Sequence, residues 1–147
     1  MSSHVKILKE NDLPTLKALM PLYKDLGYPI TMKKLRELLA KIIEHEDYTF
    51  LLLIKEDEIV GFSGLCKMMF YEKEDHYMRI LAFVIKSEYQ NQGLGRILLR
   101  ESEELAKEKG CCAIILNSGN REERNIAHKF YVGNGYQIKT SGFLKLL

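Results

Sequence analysis

The segment Gln90-Asn91-Gln92-Gly93-Leu94-Gly95-Arg96 has the residue types of a loop that lets a phosphate reach the backbone. Glycine has no Cβ to hold the anion off. A helix that starts here leaves its first N–H groups without internal partners, and its dipole adds partial positive charge at that end. Arg96, in the first turn, can add a charge-assisted hydrogen bond. Two other phosphate loops do not fit. The P-loop needs G-x-x-x-x-G-K-[ST], and no Lys-Ser or Lys-Thr follows the glycines of this loop. The dinucleotide fingerprint needs a third glycine where this chain has Leu98. ATP and NAD are therefore poor readings. On the loop alone, one bland alternative stands: a strand-to-helix turn whose glycines serve only backbone geometry.

Other chemistry-bearing side chains are sparse. Cys66, Cys111 and Cys112 are odd in number, two of them adjacent, and no C-x-x-C is present. They form no disulfide framework or zinc motif and read as small buried hydrophobes of a reducing, cytoplasmic compartment. His128 has no spaced His, Cys or Asp partner, so no metal site is expected. Ala127, Phe130 and Tyr131 lie at helical spacing, and by spacing alone Tyr131 reads as a core residue with a satisfied hydroxyl.

The elements that must hold the loop can be read from periodicity. Val5 to Lys9 reads as a first strand. Asn11 or Asp12 caps a helix to about Leu26, with Pro14 in its first turn. Leu13, Leu16, Leu19, Met20 and Tyr23 form its apolar face. Gly27-Tyr28-Pro29 breaks it, and Thr31 caps a second helix with Leu35, Leu38, Leu39, Ile42 and Ile43 on one face. Thr49–Lys55, a polar turn at Glu56-Asp57-Glu58, and Ile59–Phe70 read as a hairpin. Tyr77–Ile85 is almost wholly apolar, which predicts a strand buried on both faces. Leu94–Lys109 reads as a helix closed by Gly110, Ala113–Leu116 as a strand, and Glu123–Asn134 as a helix closed by Gly135. Tyr136–Leu147 can supply one or two last strands. The order β-α-α-β-β-β-α-β-α-β(-β) is an α/β fold, a mixed sheet with helices on its faces.

The 147 residues suit a single domain, and 46% hydrophobic with 29% charged residues is an ordinary globular balance. A net charge of +2, with basic residues scattered among acids, does not mark a nucleic-acid partner. The start Met1-Ser2-Ser3-His4-Val5-Lys6 does not read as a signal peptide. The longest apolar runs, such as Phe50–Ile54, fall far short of the ~20 residues of a membrane span.

Two motifs carry a family resemblance. Gln90, Gly93 and Gly95 fit the pattern [RQ]-x-x-G-x-[GA], which resembles the pyrophosphate loop of the GNAT family of N-acetyltransferases. Ala127-His128-Lys129-Phe130-Tyr131-Val132-Gly133-Asn134-Gly135-Tyr136 resembles the family's A-x-x-F-Y-x-x-x-G-[FY] helix end. The motifs lie in the family's order, with a helix and a strand between them. The element order agrees across nearly the whole chain.

The resemblance implies a GNAT-type fold and an enzyme that uses acetyl-CoA as donor and releases CoA. The backbone of Phe83, Val84 and Ile85 would pair with the pantetheine arm, in a gap between this strand and Ala113–Leu116. Gln90, Asn91, Gln92, Gly93, Leu94, Gly95 and Arg96 would hold the pyrophosphate. A backbone N–H near Val84 or Ile85 would stabilise the oxyanion. Arg124 could reach phosphate and Asn125 the pantetheine amides; a solvated helix start is the alternative. Tyr131 would give a proton or hydrogen bond to the leaving thiolate.

One departure concerns the base. Several family members carry a carboxylate early in the strand before the loop, and Tyr77-Met78-Arg79-Ile80-Leu81-Ala82 has none. A water chain, Glu72, Glu74 or His76 are candidates, each side chain weighed against an exposed turn, and Arg79 could attract an anionic group on the substrate. The acceptor, a small-molecule or peptide amine, would meet Tyr23, Tyr28, Pro29 and Ile30. A homodimer, without nucleic acid or membrane, completes the expectation. Two other classes compete: a CoA-binding module without turnover, and an interaction domain with no ligand.

Overall fold

Two of the helices start where short polar side chains can cap them. In the computed structural model, which describes residues 2–117, 125–139 and 142–147, Asp12 accepts the Thr15 N–H at 3.1 Å and opens α1 (Leu13–Leu26). Thr31 accepts the Lys34 N–H at 3.3 Å and opens α2 (Met32–Glu44). Each cap satisfies a donor that the first helical turn leaves orphaned. Gly27, at φ 101°, closes α1 in the left-handed region that glycine alone enters without strain.

The chain divides into two compact units, Met1–Ile115 and Leu116–Leu147. The first begins with β1 (Ser3–Ile7), followed by α1 and α2, then β2 (Tyr48–Lys55), β3 (Glu58–Met69) and β4 (His76–Ile85). A short 3-10 turn (Ser87–Tyr89) leads into α3 (Leu94–Glu108) and β5 (Ala113–Leu116). The second contains α4 (Asn125–Gly133). The sheet runs β1-β2-β3-β4-β5, with β1 to β4 an antiparallel meander. β5 joins beside β4 after the α3 crossover, which makes the sheet mixed.

The core fixes which face each helix covers. Leu16, Leu19, Leu22, Leu35 and Leu39 are fully buried against Phe50, Leu52, Phe62 and Val84. Phe62 therefore faces α1 and α2, and its neighbour Ser63 faces the other side, because strand residues alternate. There Ser102 of α3 donates to Ser63 Oγ at 3.0 Å, both residues fully buried. The meander thus carries α1 and α2 on one face and α3 on the other.

Several expectations are corrected. β1 is Ser3–Ile7, two residues earlier than the apolar pattern suggested. β4 is not buried on both faces: only Met78, Ile80 and Val84 are buried, and Leu81 is 52% exposed. The cause is local. Gly64 pairs with Ala82 but Leu65 pairs with Ile80, so Leu81 is the extra residue of a bulge. α4 ends at Gly133, and Glu123, the expected first residue, lies outside the described residues. The described residues of 136–147 form no strand. Ile138, Phe143, Leu144 and Leu146 there stay at least 76% exposed, and an apolar segment that buries nothing gains no strand stabilisation.

Candidate active site

The end of β4 is set by close approach of its neighbour. Ile85, Val84 and Phe83 pair with Gly61, Phe62 and Ser63 of β3. A Cβ on Gly61 would stand 2.7 Å from the Val84 carbonyl oxygen, a distance only glycine can accommodate. Val84 sends its side chain into the core, whereas Phe83 pairs with Ser63 and so shares the α3 face. The sequence-predicted trio is thus held by its ladder to β3 and by the buried Val84 side chain. The Leu81 bulge interrupts the ladder to β3 just upstream.

The loop then turns into α3 with little free play. The Lys86 N–H donates to the Val60 carbonyl at 2.7 Å. Val60 is itself the extra residue of a bulge, since Leu53 pairs with Gly61 and Ile54 with Ile59. The Gln90 side chain donates to the Ile85 carbonyl at 3.2 Å, so this residue shapes the loop from within. Asn91 (φ 64°) and Gly93 (φ 78°) both take left-handed backbone. Asn tolerates that region better than most side chains, and Gly without cost.

Gly93 is the N-cap of α3 and supplies no capping side chain, in contrast to Asp12 and Thr31. The Ile97 N–H reaches the Gly93 carbonyl at 3.4 Å, and the three N–H groups before it open the helix. Leu94 is buried and anchors the turn, while Gln92, Gly93 and Arg96 are exposed. Such an end, with a glycine on each side of Leu94 and an arginine in its first turn, carries partial positive charge and N–H groups without partners inside the helix.

Four residues missed by sequence reasoning brace this loop. Glu58 bonds Lys86 Nζ at 3.0 Å through one carboxylate oxygen and accepts the Tyr89 hydroxyl at 3.2 Å through the other. Lys55 Nζ donates to Gln92 Oε1 at 2.8 Å and lies 5.8 Å from the Tyr89 ring centroid. Asp25, at the end of α1, accepts the Ser87 N–H at 3.1 Å. Gly61 is the fourth. The bond from Lys86 holds the Glu58 carboxyl below its usual range, and the bond to Glu58 pushes both Lys86 and the Tyr89 hydroxyl up. The only sequence signal was a charged pair flanking a tight turn, which resembles any solvated hairpin.

The base candidates lie elsewhere. Glu72 and Glu74 are exposed in the β3–β4 turn, and His76 begins β4. At about 3.3 Å per residue, His76 is roughly 30 Å along the strand from Ile85. Arg79 is half-buried opposite Cys66. Between α1 and α2, Tyr28 is 72% exposed, whereas Tyr23 stacks on Phe62 at 5.3 Å and joins the core. Burial pushes the Tyr23 hydroxyl up to about 12.

In the second unit, α4 carries Tyr131, half-buried, with Phe130 5.2 Å and Tyr136 5.8 Å from its ring, both edge-on. The N–H groups of Asn134 and Tyr136 donate to the Tyr131 carbonyl, both at 3.0 Å, and Gly135 takes φ 93°. Asn125 is the first residue of this helix, and Arg124 lies outside the described residues. Among the described residues, no group of three His, Cys, Asp or Glu can hold a metal ion. No helix among them is long and apolar enough to cross a membrane.

Residues 15–136 match the model of the acetyltransferase (GNAT) family, which spans both sequence motifs and most of the chain. The chain belongs to the acetyltransferase (GNAT) family. It is accordingly an acyltransferase of the acetyl-CoA-dependent N-acetyltransferase class. Its structure is similar to that of a GNAT family acetyltransferase from Staphylococcus aureus subsp. aureus USA300_TCH1516. The two are 50% identical, each chain is covered over 100% of its length, and the TM-score is 0.89. An aminoglycoside acetyltransferase, HMB0005, from an uncultured soil metagenomic sample shares the fold at 18% identity. It covers 100% of this chain and 99% of its own, with TM-score 0.82. AAC(6')-Iy, solved with the bisubstrate analogue CoA-S-monomethyl-acetylneamine, shares it at 11% identity. The coverage is 100% and 99%, and the TM-score is 0.83. No curated protein matches the chain in sequence. Within this GNAT enzyme, the β4 end, the loop and the α3 N-terminus lie in one compact unit.

Proposed function

We propose that this enzyme passes the acetyl group of acetyl-CoA to a primary amine by direct attack within a ternary complex. The observation that carries the reading is the uncapped N-terminus of α3 behind a braced glycine loop, next to a strand end paired with β3. These residues fit the donor: N–H groups of the first turn with Arg96 for the pyrophosphate, and the Phe83–Ile85 backbone for the pantetheine arm. Acetyl-CoA supplies the electrophilic thioester carbonyl. A β4 N–H near Val84 or Ile85 stabilises negative charge on its oxygen. The Tyr131 hydroxyl gives a proton or hydrogen bond to the departing thiolate. Arg124 and Asn125, before and at the start of α4, add contacts to phosphate and pantetheine. The family match runs from residue 15 to residue 136, through both compact units, which supports reading 1–147 as one catalytic domain.

The acceptor is a small-molecule or peptide amine that meets Tyr28, Pro29 and Ile30. The aminoglycoside enzymes share the fold at 20% identity or less in the matches above, so they place aminoglycosides on a test panel and no further. One observation favours a second reading, a CoA-binding module without turnover: Tyr77–Ala82 carries no carboxylate, and Glu72, Glu74 and His76 lie at the far end of β4. In the enzyme reading, deprotonation of the amine falls to a water chain.

A thermal-shift series with acetyl-CoA, CoA, ATP and NAD at equal concentration comes first. A ligand at 100 times its Kd adds about 2.7 kcal/mol, which is about 5–10 °C in Tm for a chain of this size. Shifts with acetyl-CoA and CoA alone support the donor; no shift with either sinks it. An amine panel followed by free-thiol release then separates turnover from binding. Tyr131→Phe should lower kcat about 100-fold or more and leave CoA affinity within twofold. An unchanged kcat would remove Tyr131 from the chemistry.

A further inference from the structure

The β2–β3 hairpin ends in a two-residue turn, Glu56 (φ 51°) and Asp57 (φ 65°), both left-handed. Such a turn holds its flanking residues directly opposite each other, and here those are Lys55 and Glu58. Both side chains leave the hairpin for the phosphate loop. Lys55 reaches Gln92, the residue before the α3 N-cap, and lies beside the Tyr89 ring. Glu58 divides its two oxygens between Lys86, where the chain leaves β4, and Tyr89, the last residue of the 3-10 turn. The backbone repeats the tie, since the Lys86 N–H donates to the Val60 carbonyl and the Tyr89 N–H to the Lys86 carbonyl, at 2.7 and 2.8 Å. The hairpin therefore grips the loop at its entry, its middle and the position before α3.

We infer that the Lys55–Glu58 pair is a positioning device for the donor site, holding the phosphate loop in its binding conformation through Lys86, Tyr89 and Gln92. The inference rests on the acetyl-CoA reading above. A loop already ordered pays less conformational entropy when its ligand arrives. Removing the pair leaves the phosphate-binding groups in place but lets them sample other arrangements, so donor affinity falls while the chemistry of bound donor is unchanged. Lys55 also matters as a charge. Among the described residues it forms no ion pair, so its ammonium adds positive potential beside the loop.

The test compares wild type, Glu58→Ala, Tyr89→Phe and the double variant by calorimetric titration with CoA and by steady-state kinetics. Each single variant should raise the CoA Kd and the acetyl-CoA KM about three- to tenfold, the range of one or two partly exposed hydrogen bonds. The kcat at saturating donor and the amine KM should stay within twofold. The double variant should lose less than the product of the singles, because both remove the same bond. Tyr89→Phe deletes one oxygen and keeps the ring, so it remains informative if Glu58→Ala does not fold. Lowered Tm with an unchanged CoA Kd in folded variants would overturn the inference, since a merely structural bond would behave so. Equal loss in kcat and KM would overturn it too. Wild-type protein that fails to bind CoA overturns both this inference and the acetyl-CoA reading.

Discussion

Gly61 and Gly93 shape the proposed donor site for different reasons. Gly93 meets nothing within 4 Å of a built Cβ, and its requirement is the left-handed backbone at φ 78° that turns the loop into α3. Gly61 has no such torsion; its requirement is space, because the Val84 carbonyl stands 2.7 Å from where a Cβ would be. Backbone cannot swing away as a flexible side chain does. Gly61→Ala should therefore spread β3 from β4, cost about 1–3 kcal/mol in urea denaturation, and raise the acetyl-CoA KM through Phe83–Ile85. A variant with normal stability and KM would show that the strands part freely. Sequence reasoning passed over Gly61 because a glycine in a strand is read as a weak residue, and only its neighbour across the ladder shows otherwise. Tyr131 is the opposite case. Its motif singled it out, while helical spacing alone favoured a core role.

At the scale of elements, the β2–β3 hairpin uses residues poorly suited to its turn. Type I′ geometry prefers Asn-Gly, and Glu56-Asp57 holds two left-handed torsions with longer side chains. The double change Glu56→Asn with Asp57→Gly should raise stability by about 0.5–1 kcal/mol in chemical denaturation. Lys55 and Glu58 should keep their positions, so CoA affinity should not change. The element boundaries show how far periodicity reaches. β5 and the starts of α2 and α3 fall where expected, because their caps and breakers are local. The reading of β4 as buried on both faces failed, because one inserted residue, Leu81, changes which side chains face inward, and a bulge leaves no mark in an apolar run. Ser63 and Ser102 were equally hidden, since two serines 39 positions apart acquire meaning only when α3 lies on β3.

For the molecule as a whole, the response to pH follows from groups at the site and in the core. Tyr23 is raised to about 12 by burial from an ordinary 10.0. A raised folded value means the folded state favours the protonated phenol. The stabilisation is full below pH 10.0, declines as pH rises, and is lost as pH passes about 12. Tm should fall across that window, and Tyr23→Phe should flatten part of the fall; an identical alkaline profile in the variant would show that Tyr23 does not carry it. At the acid end the sign reverses. Glu58 is depressed below 4.5, so its contribution is present above 4.5 and is lost as pH falls through the lower folded value. CoA affinity should thus weaken on acidification below 4.5, and Glu58→Gln should remove that dependence.

The sequence by itself determined the order of elements as far as α4, the cap at Thr31, the choice of Asn11 or Asp12 for the first cap, the glycine loop before α3 and the motif around Tyr131. These are properties of neighbours along the chain: torsions that glycine permits, donors that a nearby oxygen satisfies, apolar residues at one period. From them came the family and the donor class. The tertiary structure alone decided what holds the loop still. Lys55 and Glu58 lie more than twenty-five positions from their partners Gln92, Lys86 and Tyr89, and Asp25 lies 62 from Ser87. Such contacts depend on strand register and on which face a helix covers. A charged residue beside a turn looks the same in sequence whether it meets solvent or the phosphate loop.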